Sequence, residues 1–415
     1  MNYIDLFAGA GGLSEGFIRM GFVPIAHVEM DKAACNTLRT RVAAKYLKTV
    51  GRYSEYISYL KGDISRTTLY SKIPAHQLDS VINIPIGEEH NEFIYQQIDS
   101  RLQGDKVDLI IGGPPCQAYS LVGRARSINS MEGDPRNFLY IQYGNFLRRY
   151  KPLMFVFENV IGIKSAKQGA YLQSMETLFR SIGYEMKLFT VDASNFGVLQ
   201  NRRRVIIIGW QQKLSLSFPD LDSIRKAAGV HVNTLLDDLP RIASGEGTRF
   251  CRYRSETSDY LKTAKIRNGI DILTQHIARP HTEQDKTIYQ IAVQKWNVGK
   301  KRLDYNDLPE SLKTHANRTS FFDRFKVVAG DLSYAQTVVA HIAKDGHYYI
   351  HPDINQNRSL SVREAARLQS FPDDFFFEGV KEFANRTAAF KQIGNAVPPL
   401  MAEVIAGEIK RCLAG

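Results

Sequence analysis

The sequence predicts an α/β protein built on a doubly wound, mostly parallel sheet, followed by a second, smaller domain. Three observations predict this. Short β-rich runs repeatedly end in Gly, acidic or Pro clusters and give way to amphipathic helical segments, the alternation that builds a parallel sheet. The unusual residues gather at the C-terminal ends of those runs, where open α/β sheets bind ligands. From about residue 240 the alternation stops, and short mixed segments with turns such as SGEG, RNG and KDG take over.

The candidate strands are 3–7, 24–28, 107–111, 153–157, 186–191 and 205–208. The first leads into Ala8-Gly9-Ala10-Gly11-Gly12 and a helix, a turn that lets a ligand approach the backbone closely. This is not the dinucleotide GxGxxG, because Ser14 stands where the third glycine would. The second strand ends at Glu29, whose carboxylate can hold both hydroxyls of a ribose. Together they favour a nucleoside over glycines that merely make a turn. Residues 40–104 then break the rhythm with a polar, Tyr-containing stretch that has the character of an insertion and mostly resists assignment. Within it Asp63, in KGDIS, is either an acceptor for an adenine amino group or a turn residue after a glycine.

The next strand runs into GGPPCQAYS, where two glycines and two prolines frame Cys116 at the sheet edge. A cysteine in an aliphatic core needs no such frame. An ordinary thiol, with a pKa of ~8.5, is a small fraction thiolate at neutral pH, enough for a nucleophile that its neighbours assist. Residues 121–133 have the Gly, Ser and Arg content of a segment that closes over a substrate, or of an ordinary surface loop. The following strand delivers Glu158-Asn159-Val160 to the same edge. Alone, such an acid is a helix cap; beside a Cys loop it is a carboxyl able to hold or protonate a pyrimidine ring nitrogen. Last, QNRRR carries Arg202 and Arg204 toward an apolar strand. Such arginines need anions, either phosphate and base carbonyls or an internal salt bridge.

The composition, 44% hydrophobic and 23% charged, is that of a globular protein, and 415 residues suffice for a sizeable core plus a second module. A formal charge of +11 suits a polyanionic partner. Residues 241–360 hold 19 Lys and Arg against 13 Asp and Glu, so the surplus is concentrated in the second domain. Cys35, Cys116, Cys251 and Cys412 show no CxxC spacing, so neither a disulfide framework nor a metal site is expected. No stretch approaches the ~20 apolar residues of a membrane helix, and MNYIDLFAG lacks a basic leader. A soluble, cytoplasmic protein is expected.

Taken in order, DLFAGAGG, Glu29, GDI, GGPPCQAYS, ENV, QNRRR, SVREAARLQSFP and GNAVPP make the chain resemble, from end to end, the C5 cytosine-specific DNA methyltransferases, above all those of bacterial restriction-modification systems. The resemblance implies an S-adenosylmethionine-dependent methyltransferase fold. It divides the chain into a catalytic and cofactor-binding domain at 1–235, a target-recognition domain at 240–385 and a C-terminal segment, 386–415, that returns to the catalytic domain. It makes Cys116 the nucleophile that adds to cytosine C6 and Glu158 the group that activates N3, so that C5 takes the methyl group before proton and thiolate leave. It puts Arg202 and Arg204 near the flipped base and its phosphate. For S-adenosylmethionine it implies Phe7 beside the adenine, Gly9, Ala10, Gly11 and Gly12 along the methionine part, Glu29 on the ribose with Met30 after it, and Asp63 and Ile64 at the adenine. Pro115, Leu139 and Asn395 would complete the pocket.

The implied partners are double-stranded DNA, with no membrane and no metal, and a cognate restriction endonuclease acting on the same site without a stable complex; the implied state is a monomer. The stretch between Glu29 and the PPC loop is longer than in compact members of the family, and the recognition region follows no rule that names a target site. Two other readings compete. The family's tRNA-acting branch shares PPCQ and ENV but keeps a smaller recognition domain. A catalytically idle DNA-binding module would have no chemical reason to keep Cys116, Glu158 and the Gly loop.

Overall fold

The computed structural model describes residues 1–115, 138–214, 219–319, 321–383 and 385–414. Cys116 and the 121–133 stretch lie outside them. Seven strands form the central sheet: β1 (Asn2–Leu6), β2 (Val23–Glu29), β3 (Val81–Asn83), β4 (Leu109–Gly112), β5 (Met154–Asn159), β6 (Tyr184–Asp192) and β7 (Arg203–Gln211). Their order is β3-β2-β1-β4-β5-β7-β6. The first five are parallel, and β7 runs antiparallel to both neighbours. The reversal follows from the short connection between β6 and β7, which permits only an antiparallel pairing, whereas parallel neighbours need a longer crossover. The expected strands all form. β3, three residues long, was hidden in the unassigned 40–104 stretch.

Alternate residues of the strands face opposite layers. Leu109 and Ile111 join Met154, Val156, Ile206 and Ile208 in one apolar cluster. Ile110, Phe155, Phe157, Val205 and Ile207 face the other way, against Tyr143, Phe146, Met175 and Phe179 of the helices Leu139–Tyr150 and Ala170–Ser181. The C-terminal helix Pro399–Leu413 lies on the helix Gly12–Arg19 so closely that a Cβ on Gly16 would stand 2.3 Å from the Glu403 nitrogen.

After residue 240 the regular elements are short, among them the two-stranded pair Phe250–Cys251 with Leu273–Thr274 and the helix Glu283–Gly299, opened by a Thr282/Asp285 capping box. Ile288, Tyr289, Ala292, Val293, Leu303 and Phe325 form a cluster of this region's own. Leu261, Val338, Leu360 and Phe371 instead join the core under the sheet. No helix among the described residues is long and apolar enough to cross a membrane.

Candidate active site

The C-terminal ends of the parallel strands collect most of the residues singled out in the sequence. After β1, Phe7 takes a left-handed backbone (φ +58), a conformation costly for a side chain this size and concentrated at functional sites. The glycines after it divide the work. A Cβ on Gly9, also left-handed, would meet nothing within 4 Å, so open space lies beside its backbone. A Cβ on Gly11 would press Leu38 at 2.7 Å, and one on Gly12 would lie 2.3 Å from the Val397 carbonyl oxygen. Gly11 and Gly12 are therefore small to admit protein, and Gly12 brings the GNAVPP turn, with exposed Asn395 at the end of the helix Arg386–Asn395, against the Gly loop. Ala10 is buried in the core.

Glu29 ends β2. Its carboxylate accepts the Gly9 and Asp31 amides, both at 2.8 Å, and burial pushes its pKa up against the pull of those bonds. Two amides leave lone pairs to spare on a group that accepts about four hydrogen bonds. Met30 beside it is exposed. In register with Glu29 stands Asn83 at the end of β3, whose amide donates to the Glu29 and Met30 carbonyls at 3.1 and 3.0 Å.

Asp63 and Ile64 are elsewhere. They follow the helix Tyr53–Lys61, whose C-cap is Gly62 at φ +93. The Arg249 guanidinium donates to the Tyr59 and Leu60 carbonyls at 2.9 and 3.2 Å, and a Cβ on Gly62 would fall 2.5 Å from its Cζ. The KGD turn is thus a helix terminus that admits an arginine, while the strand beside β2 ends at Asn83.

After β4, Gly113, Pro114 and Pro115 lead to the undescribed Cys116. Gly113 lies against Glu158 at the end of β5: a Cβ there would stand 2.8 Å from the Glu158 Oε2 and 2.6 Å from its carbonyl oxygen. The Asn159 amide donates to the Pro114 carbonyl at 3.3 Å. The second glycine of GGPPC is therefore the one that lets the loop sit beside the acid. Glu158 Oε1 pairs with Arg204 Nε at 2.8 Å, the internal salt bridge weighed as the alternative for these arginines. Arg202 departs from expectation. Its side chain is fully buried and donates to the Val338 and Gly394 carbonyls at 2.7 and 3.0 Å, so here it ties the segment beyond residue 240 and the GNAVPP helix to β7 and does not face the rim. Leu139 opens the helix on the far side of the undescribed stretch, a helix moored by the Tyr143 hydroxyl to the Ile110 and Val156 carbonyls.

Sequence reasoning passed over Asn83, whose only signal was the β-branched VIN run, and the buried arginines of 358–367. Arg358 makes two 2.7 Å bonds to Glu364. Arg363 donates to the Thr274, Pro372 and Phe375 carbonyls. Arg367 bridges Asp373 and Asp238.

The family model for the C-5 cytosine-specific DNA methylases matches residues 1–52 and 82–411. The chain belongs to that family. As a methylase it transfers a methyl group to C5 of cytosine in DNA. It is 42% identical to the type II methyltransferase M.Bpa9945I of Bacillus paralicheniformis, with all of both chains covered. To the type II methyltransferase M1.HphI of Haemophilus parahaemolyticus it is 29% identical over 98% of this chain and 86% of that one. A prophage-encoded protein of E. coli shares the fold at a TM-score of 0.67 and 24% identity, with both chains fully covered. Within the methylase the family match skips an internal stretch, residues 53–81, and both Asp63 and Ile64 lie in it.

Proposed function

We propose that this chain is the modification enzyme of a type II restriction-modification system, methylating one flipped cytosine of a specific duplex sequence with S-adenosylmethionine as donor. The observation that carries the reading is the contact of Gly113 with Glu158, which sets the PPC loop and a rim carboxylate side by side. The full-length likeness to a type II methyltransferase supports the biological role.

A stacked cytosine offers no access to C6, so the base leaves the helix at a cost of a few kcal/mol. Glu158 then holds the base at N3, with Arg204 keeping the carboxylate in place. Cys116 Sγ bonds to C6, which makes C5 nucleophilic, and departs when the C5 proton is lost. When bound, S-adenosylmethionine supplies an electrophilic methyl on its sulfonium sulfur. The open face of Gly9 suits the approach of that donor to the backbone, and Glu29 has lone pairs for the ribose. Phe7, Met30, Pro115, Leu139 and Asn395 would line the rest, with Asn83 and Ile84 at the adenine. Recognition of the target falls to residues 240–385, where the basic surplus lies.

Duplex DNA with 5-fluorocytosine at the target has no C5 proton to lose, so the enzyme should remain attached in an adduct that needs S-adenosylmethionine and survives denaturing electrophoresis. Cys116→Ala should form none, while replacement of Cys35, Cys251 or Cys412 should leave it intact; an adduct in Cys116→Ala sinks the assignment. Glu158→Gln should lower turnover by roughly 10²- to 10⁴-fold.

A further inference from the structure

Residues 53–81 fold as three short helices, Tyr53–Lys61, Arg66–Ser71 and Ala75–Leu78, wedged between the helix Lys32–Thr49 and the recognition region. Tyr56, Tyr59 and Leu69 of this insert share an apolar cluster with Ala44 and Leu47 of that helix and with Ile270 and Phe376 from beyond residue 240.

The chain leaves the recognition region through residues 372–383, a stretch with no helix or strand whose residues up to Gly379 are buried. A buried backbone without a ladder must find its hydrogen bonds elsewhere, and each that it finds is a point of restraint. The insert supplies several. The Tyr56 hydroxyl donates to the Asp374 carbonyl at 2.7 Å. The Arg66 guanidinium donates to the Gly379 and Val380 carbonyls, both at 3.0 Å, and to the Glu378 carboxylate at 3.2 Å. Glu378, fully buried, also accepts the Tyr59 hydroxyl and, at 2.8 Å, the Thr40 hydroxyl of the helix that follows Glu29. Its own carbonyl is bonded at 2.9 Å by Gln392, three residues before Asn395. Arg249 closes the circuit from the recognition side by capping the helix Tyr53–Lys61.

We propose that the 53–81 insert is a strut that fixes the exit segment of the recognition region against the cofactor side of the sheet, with Arg66 and Tyr59 as positioning residues for DNA. A connection made of irregular backbone is where one body turns on another, and an insert whose donors bond that backbone at Asp374, Gly379 and Val380 holds the turn at one angle. The strut touches neither cofactor nor base; it acts by keeping target recognition in register with the Glu158 rim. The proposal rests on the DNA-methylating function proposed above.

The test compares wild type, Arg66→Met, Arg66→Lys and the near-isosteric Tyr59→Phe, each normalised to active sites by the 5-fluorocytosine adduct. Arg66→Met should lower kcat/KM on cognate duplex by roughly 10- to 100-fold, as misplacement of a substrate does, and should narrow the preference for the cognate site over one with a single changed base pair. Arg66→Lys should recover part of the loss, Tyr59→Phe should show a smaller loss in the same direction, and the Kd for S-adenosylmethionine should be unchanged in all. A purely structural insert would lower thermal stability and leave both ratios per active site as in wild type, which would overturn the proposal. A matching loss of S-adenosylmethionine affinity would also overturn it and return the insert to the cofactor site. Failure of the wild type to methylate duplex DNA would instead overturn the functional reading beneath it.

Discussion

The rim of the sheet and the junction beneath the region beyond residue 240 use polar side chains in opposite ways. At the rim, Glu29 and Glu158 each hold one or two partners and stay partly open, and Arg204 meets a single carboxylate. At the junction, Arg202, Arg358, Arg363 and Arg367 are fully buried and their donors are spread over carbonyls and carboxylates. A buried charge is tolerated only when paired and hydrogen-bonded, so the junction consumes its polar capacity in assembly. The rim keeps capacity in reserve, which is what a site for a ligand requires.

The largest effect should come from breaking the junction. Arg367→Ala leaves Asp238 and Asp373 buried without their shared cation, and chemical denaturation should show a loss of about 3–5 kcal/mol. Arg204→Ala at the rim, whose pair with Glu158 keeps some contact with solvent, should cost less than Arg367→Ala while impairing turnover. Equal losses of stability in the two variants would erase the distinction.

Acid should sharpen it. Burial pushes His351 and His281 down to about 4, and lowers His276 and His347 as well. All four lie beyond residue 240. Their neutral forms are favoured in the fold, so the unfolded chain binds more protons and stability falls as pH drops from about 6.5 toward 4. For His351 alone the loss approaches about 3 kcal/mol. Asp5 and Glu29, in the sheet, are pushed up by burial and shift stability the other way. Hydrogen exchange at pH 5 should accelerate first in the helix Glu283–Gly299; faster exchange in β1 than in that helix would contradict the contrast.

The smallest effect separates the rim from the insert. Glu29→Ala should weaken S-adenosylmethionine binding by about 1.5–3 kcal/mol, the worth of a charge-assisted hydrogen bond. Asp63→Ala should leave it unaltered in calorimetry, because Asp63 follows a helix cap and not a strand. Comparable losses in both variants would instead favour the adenine assignment of Asp63.

Much of the rim was legible because its signals are local. A β-branched run followed by GAGG, GGPPC or ENV specifies, within about ten residues, a strand, its turn and the side chain left at its end, since strand period and glycine dihedrals are short-range properties. The sequence therefore determined the α/β class, six of the seven strands and the motifs that carry Glu158 and Glu29 to one edge. Only the tertiary structure decided that the three-residue β3 lies beside β2, that Arg249 reaches the Leu60 carbonyl beside Gly62 from 189 residues away in the chain, that Arg202 is buried, and that Arg367 meets Asp238 across 129 residues. An arginine that will bond a phosphate and one that will bond a buried carbonyl look alike in sequence. Folding alone determines which acceptor arrives, because the desolvation that makes the choice exists only once distant segments have closed around the charge.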